Sequence, residues 1–242
     1  MSTNATSLLT KIELFHGLSD RDLETIYAES RELSFDADSF LFHQDDPAER
    51  IFILISGRVK LYQLADDGQQ VMMHVMTPGM MFAAISLVKG ALYPVSAEAA
   101  QTSRVIYWSQ ATLLALIEQF PQMALNAMKV LAGHVREFQN RYRELATERV
   151  ERRLARTVLR LTSQTGRKIE EGVLLDLPLT RQDLAEMSGT TLFTVSRILT
   201  QWESQGLVLA GRERLVVRFP HGLVRIAEDL PVRPAAGSDQ DA

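Results

Sequence analysis

The stretch Arg181–Val208, RQDLAEMSGTTLFTVSRILTQWESQGLV, holds two short helical patterns interrupted by one glycine. Thr180, just ahead of it, and Asp183 form a helix-start signature of the capping-box kind, with Asp in place of the usual Glu or Gln. The small Ala185 sits where two helices must approach closely, and Gly189 where the chain must turn sharply. Val195 and Ile198 sit where a second helix must pack back on the first. That is the packing requirement of a helix-turn-helix. With Val195, Ile198 and Leu199 facing inward, Thr190, Thr191, Leu192, Phe193, Thr194, Ser196 and Arg197 are left for a DNA groove. Hydroxyls bond phosphates or base edges, and an arginine grips guanine O6 and N7 with two hydrogen bonds.

Working outward, QGLVLAGRERLVVRF (Gln205–Phe219) reads as a strand, a tight Gly-Arg turn and a second strand, the wing of a winged helix. Arg181 and Arg212 are expected to neutralise phosphate, and Arg212, Arg214 and Arg218 make the wing basic. The competing reading is a helical hairpin with a solvated threonine face, in a ligand-binding or interaction protein whose degenerate motif does not touch DNA. The basic wing beside Arg197 separates the two, because a protein-only module has no need of it.

At 242 residues the chain exceeds the usual size of one domain, which favours two. A hydrophobic share of 46%, a charged share of 23% and a mean hydropathy near zero describe an ordinary globular protein. No apolar run is long enough to span a bilayer, and the opening MSTNATSLLTKIEL lacks a basic stretch followed by an apolar one. A cytoplasmic protein with no membrane partner is expected. The absence of cysteine excludes disulfides, thiolate zinc sites, cysteine-ligated iron–sulfur clusters and cysteine nucleophiles. No nucleophile, metal cluster or paired-carboxylate motif stands out, so no catalytic residue and no metal site is assigned and the chain is not read as an enzyme. The net charge of -4 does not announce nucleic-acid binding, yet arginines crowd between Arg136 and Arg160 and again between Arg212 and Arg218, which leaves room for a local basic face.

Toward the front, Ser19, Asp20 and Asp22 open a short helix carrying Leu23 and Ile26. From Glu32 to Ser109 the texture is β-rich: SFLFHQ, RIFILISG, RVKLYQL, QVMMHVM and SRVIYWS are separated by turn signals at Asp45–Pro47, Asp66–Gly68 and Pro78–Gly79. Many short strands at regular spacing predict a sandwich or roll. Helical texture returns from Ala111 to Leu161. Within it Ala124, Met128, Leu131, Val135, Phe138, Tyr142 and Leu145 recur at alternating steps of four and three, a coiled-coil seam that predicts a parallel dimer. The alternative is a long helix lying on its own sheet; the seam's narrowness and charged flanks favour a partner helix. The fold class is therefore α+β, with a sensor β-roll over 1–115, a dimerisation helix over 116–148, a winged helix-turn-helix over 149–230 and a disordered tail over 231–242.

A roll with ISGRVKLY (Ile55–Tyr62) and TPGMMF (Thr77–Phe82), a long dimer helix, and a winged helix-turn-helix with TVSRIL (Thr194–Leu199) together resemble the CRP/FNR family of transcription regulators, over about Leu14 to Leu230. The resemblance implies a homodimer whose roll, a cyclic-nucleotide-binding-like domain, senses a small molecule or gas. It also implies an inverted-repeat site on double-stranded DNA and work with RNA polymerase. Cyclic-nucleotide members hold ribose and phosphate with a Gly-Glu pair after the PG turn and a later Arg-Ser pair. Here Ala84 takes the glutamate's place, Tyr93 and Pro94 replace Arg-Ser, and Phe138 and Gln139 replace the hydroxyl pair that meets adenine. Cyclic AMP is not expected to bind, since each lost charge-assisted hydrogen bond is worth roughly 1.5–3 kcal/mol.

What remains is an apolar effector pocket expected from Met80, Met81, Phe82, Ile85, Leu87, Leu92 and Tyr93, or else a plain packed core. The stretch is similar to the dissimilatory nitrate respiration regulators, a subgroup for which haem is a proposed cofactor. Haem needs an iron ligand, and the candidates are His16, His43, His74, His134 and His221, none with a diagnostic motif. In the reading helix the family's polar residue and glutamate are replaced by Leu192 and Phe193, which read thymine methyls; only Arg197 keeps its place.

Overall fold

Ser19 opens helix α1 (Asp20–Ala28) because its hydroxyl accepts from the Asp22 amide while the Asp22 carboxylate accepts from the Ser19 amide. The computed structural model describes residues 7–65, 70–177 and 179–230. The turn expected at 66–68 and the tail expected over 231–242 lie outside the described residues.

Strands β1 (Arg31–Phe35), β2 (Phe40–Phe42), β3 (Arg50–Leu64), β4 (Gln70–Met76), β5 (Met81–Phe82) and β6 (Ser96–Ser109) form one antiparallel sheet in the order β1-β6-β3-β4, with β2 on β6 and β5 on β3. The runs RIFILISG and RVKLYQL, which the sequence presents as two strands, are one strand bent at Gly57. The β3–β6 register slips three times between Leu54 and Val59, and such bulges bend a sheet toward a roll. Gly57 sits at φ 95°, where a Cβ would lie 2.6 Å from the Ser103 Cα. The approach is close because the buried Ser103 hydroxyl reaches back across the bulge, accepting from the Arg58 amide at 3.1 Å and donating to the Gln101 carbonyl at 2.7 Å.

Two apolar clusters fill this unit. One joins Leu14, Phe15, Ile26, Ile53, Trp108 and Met123, with the Trp108 indole donating to the Ile26 carbonyl at 2.8 Å. The other is aromatic: Phe42, Phe52, Phe82 and Tyr93. The long helical texture splits into α2 (Gln110–Gln119), α3 (Gln122–Thr147) and α4 (Val150–Thr165). The first break falls at Phe120, which Pro121 drives out of the helical region. Early on α3, the buried Asn126 amide donates to the carbonyls of Leu14 and His16, tying the chain's front to the helix. Beyond it the seam residues lie open: Met128 is 69% exposed and Phe138 70%.

Contacts group the chain into residues 1–141 and 142–242. The second group holds α4, β7 (Gly166–Ile169), β8 (Gly172–Leu175), α5 (Arg181–Ser188), α6 (Leu192–Ser204), β9 (Val208–Gly211), β10 (Arg214–Val217) and α7 (Pro220–Ala227). Its sheet is four-stranded, β7-β8-β10-β9, so the wing hairpin is extended by a second hairpin that the sequence reading left unassigned. Among the described residues no helix is long and apolar enough to cross a membrane.

Gly57→Ala is expected to lower unfolding stability by about 2 kcal/mol or more, since it adds a Cβ at positive φ against a backbone atom. Thermal and urea melts compared with the parent check this; an unchanged melt would remove the bulge from its place in the roll.

Candidate nucleic-acid interface

The turn between α5 and α6 is built as its residues require. Thr180 and Asp183 complete the reciprocal capping box at 2.8 and 3.0 Å. Gly189 closes α5 in the left-handed region, at φ 62°. Thr191 then caps α6, its hydroxyl accepting from the Thr194 amide at 3.2 Å and lying 3.0 Å from the Thr194 hydroxyl. Leu184 and Ala185 of α5 and Val195, Ile198, Leu199 and Trp202 of α6 are buried. On the opposite side Thr191, Leu192, Phe193 and Arg197 are exposed, Phe193 by 77%; Thr190, Thr194 and Ser196 are half-buried.

Two residues that the sequence reading passed over fix this turn. Arg153 of α4 donates to the carbonyls of Ser188, Gly189 and Glu148 at 2.8–2.9 Å, so its guanidinium satisfies acceptors that a helix end leaves open. The Trp202 indole donates to the Glu151 carboxylate at 3.0 Å. The arginine crowd on α4 is likewise engaged internally: Arg152 meets Glu148 and Asp229, and Arg156 meets Glu148 and Glu228. The basic face left for DNA lies elsewhere. Arg181, half-buried at the first position of α5, and Arg212, exposed in the β9–β10 turn, border one recess of about 490 Å3 with Thr180, Ala210, Gly211 and Glu213. Guanidinium groups beside a helix N-terminus favour an anion, and the Glu213 carboxylate on the same recess opposes one.

In the first unit the seven residues expected to form an effector pocket do not meet in one place. Phe82 and Tyr93 are packed in the aromatic cluster, the Tyr93 ring 3.9 Å from that of Phe42, and Met80 lies against it. The Tyr93 hydroxyl donates to the Arg50 carbonyl at 2.9 Å and accepts from the Arg50 amide at 3.0 Å. Burial pushes this phenol above its ordinary pKa despite those hydrogen bonds. Leu92 is half exposed, on a short bridge to Pro47. Aromatic packing explains the split: stacked rings bury large areas and leave no void.

Met81, Ile85 and Leu87 instead line a trough of about 360 Å3, with Leu14, Ala84 and Val88 on the same side and Ala127, Met128, Val130, Leu131 and His134 of α3 on the other. The segment entering it is under strain. Ala83 sits in the left-handed region at φ 64°, at roughly 1–2 kcal/mol for a residue with a Cβ. The Ser86 hydroxyl is fully buried without a hydrogen-bond partner among the described residues, an omission worth about 1–3 kcal/mol. Of the other histidines, His43 packs on Phe40 with its ring tilted and His221 meets the Phe219 ring edge-on. Among the described residues no cluster of histidine and acidic side chains is placed to hold a metal ion.

Residues 32–120 match the family model of the cyclic nucleotide-binding domain, and residues 152–226 that of the Crp-like helix-turn-helix domain. The cyclic AMP receptor protein of Thermus thermophilus is 27% identical over 217 residues, 90% of this chain and 97% of that one. The nitrogen fixation regulation protein FixK of Azorhizobium caulinodans is 27% identical over 210 residues, 86% of this chain and 84% of that one. The solved structure of FixK2 from Bradyrhizobium japonicum superposes with a TM-score of 0.70 at 26% identity, covering 85% of this chain and 99% of that one.

Because Arg181 and Arg212 border one recess, they are expected to share one phosphate. The double variant Arg181→Ala/Arg212→Ala should lower the slope of log affinity against log salt by about one unit per subunit, not two, and the single losses should not add. Anisotropy titrations of labelled duplex DNA across salt concentrations check this; additive losses with a two-unit change would place the arginines on separate phosphates.

Proposed function

We propose, from the premise that the chain belongs to the CRP/FNR family of DNA-binding transcription regulators, that it acts as a homodimer paired along α3, reads an inverted repeat with α6, and works with RNA polymerase in answer to an effector other than cyclic AMP. The observation that carries this reading is the division of α6 into a fully packed face and an exposed face bearing Leu192, Phe193 and Arg197. A symmetric dimer presents two such helices to one side of a duplex, so its half-sites are inverted copies. Arg197 reads guanine, Leu192 and Phe193 meet thymine methyls, and Thr190, Thr191, Thr194 and Ser196 anchor the helix to the backbone.

Although relatives include proteins named as cyclic AMP receptors, the geometry of this roll argues for another ligand. Tyr93, at the position of the phosphate-binding arginine, has its hydroxyl engaged by the Arg50 backbone and its ring in the aromatic cluster. Ala84 offers no carboxylate for ribose. Haem would find the His134 imidazole at the trough but no cation there for its propionates, so the lining does not fit a haem as it stands. An interaction protein that does not bind DNA is the weaker reading, because Arg181 and Arg212 border one recess beside the N-terminus of α5.

Selection of bound sequences from random DNA tests the assignment. The parent is expected to enrich an inverted repeat, and Arg197→Ala to relax one base pair per half-site, a loss of about 1–3 kcal/mol of discrimination. Recovery of no palindrome, or an unchanged preference in Arg197→Ala, would remove α6 as the reader. Phe138→Glu strands a charge at the seam and is expected to give monomers by light scattering at low concentration; a persistent dimer would place the pairing surface off α3.

A further inference from the structure

The trough beside α3 has three properties that plain packing does not explain together. Its volume of about 360 Å3 falls within the range of small-molecule sites, roughly 300–1,000 Å3. Its wall segment holds two unsettled elements side by side, Ala83 in a left-handed conformation and the unpartnered buried hydroxyl of Ser86. Its other wall lies on α3 at Ala127, Val130 and His134, flanking the seam, and it shares Met128 and Leu131 with the seam itself. A cavity that is apolar, strained on one side and continuous with the pairing stripe on the other suits an effector better than a filler.

The chemistry of the lining names the ligand class. Among the trough's residues His134 is the one able to exchange a hydrogen bond or an ionic contact through its side chain; the rest offer hydrocarbon or thioether surface. We infer that the trough binds an apolar small molecule carrying one hydrogen-bond-accepting or anionic head, its body between the Ala84–Leu87 turn and α3 and its head at the His134 imidazole. This deepens the reading of the chain as an effector-responsive regulator and rests on it. Occupancy shifts Met128 and Leu131, and through them the seam; the strained Ala83–Ser86 segment supplies the movable wall. The neighbouring helix of a second copy covers the seam side of Met128 and Leu131, while Ala127 and Val130, a step around the helix, stay with the ligand.

The test uses the full chain and two probes: N-phenyl-1-naphthylamine, an uncharged apolar fluorophore, and decanoate, an apolar chain with a carboxylate head. The fluorophore is expected to bind saturably at about one per chain with micromolar affinity, and decanoate, but not cyclic AMP, to displace it. Ala84→Leu and Ala127→Leu, which fill the trough from opposite walls, should each weaken fluorophore binding on the order of tenfold, while Leu125→Gln on another face of α3 leaves it unchanged. His134→Ala should weaken decanoate displacement by about fivefold or more beyond any change in the fluorophore's own affinity. Light scattering and melts run on every variant separate lost binding from lost dimer or lost fold.

No saturable binding, or equal binding by the parent and a folded filling variant, would overturn the inference. So would filling variants that become monomers while the parent binds no probe, since the trough would then be part of the pairing surface alone. Duplex-DNA binding is measured on the same preparations. DNA binding with no probe binding defeats the trough inference and spares the regulator reading; probe binding with no DNA binding does the reverse.

Discussion

A helix that turns Met128, Leu131, Phe138 and Tyr142 to water along one stripe is the constraint on which this molecule's organisation depends. Within its own unit α3 buries Met123 and Asn126 near its start and nothing after them. Apolar area left in water forgoes roughly 25 cal/mol per Å2, and the stripe extends over several helical turns. Its width selects the cover. A helix resting on a sheet or in a globular core needs a broader apolar face, whereas a stripe in alternating steps of three and four suits a second helix of the same kind. The neighbouring trough borders the same stripe, since Met128 and Leu131 belong to both.

The last residues of that helix, from Tyr142 on, belong to the second unit. Leu145, the last residue of the seam, approaches the turn so closely that a Cβ on Gly189 would fall 2.5 Å from its Cδ2. Arg153 adds a polar clamp on the same turn through the Ser188 and Gly189 carbonyls. Gly189 thus meets two requirements at once: a left-handed backbone to end α5, and an empty position where Leu145 lies. Within the second unit the turn between α5 and α6 is held by Leu145 and by Arg153 of α4, while the wing contributes Arg212 to the recess that Arg181 borders.

How much of this was legible in the sequence differs by element, for physical reasons. The helix-turn-helix was legible because capping, a sharp turn and inward packing each demand particular residue types at fixed spacing, and Thr180, Gly189 and Val195 stand at those places. The hairpin of β7 and β8 was not, because GRKIEEGVLL alternates too little to separate it from loop. Arg153 was hidden for a different cause: one more arginine in a basic helix carries no sign that it faces three carbonyls. The seven residues proposed for an effector pocket lie apart because contiguity in sequence is a poor guide on a roll. Successive side chains from Met80 to Tyr93 point to different sides of the wall, so aromatics went to the core while Met81, Ile85 and Leu87 met α3, and the helix half of the trough lay some forty residues further on.

The exposed face of α6 carries an internal division of labour. Thr191 is engaged as the helix cap, and Thr194, bonded to it through both amide and hydroxyl, is held with it. Hydroxyls fixed at a helix N-terminus, where the backbone amides and the dipole already favour an anion, are suited to phosphate. In the proposed reading of DNA by α6, sequence selection falls to the neighbours that the cap leaves free. Leu192 and Phe193 have no polar atom to offer, and leaving them in water is unfavourable. In the major groove the thymine methyl is the one base feature that rewards an apolar side chain, while a guanine edge is the two-bond partner of an arginine such as the proposed reader Arg197. A carboxylate in place of Phe193 would instead accept from a cytosine amino group, and on the proposed reading that single exchange would move the preferred half-site while leaving the packing of α6 alone, since its buried face of Val195, Ile198, Leu199 and Trp202 does not include Phe193.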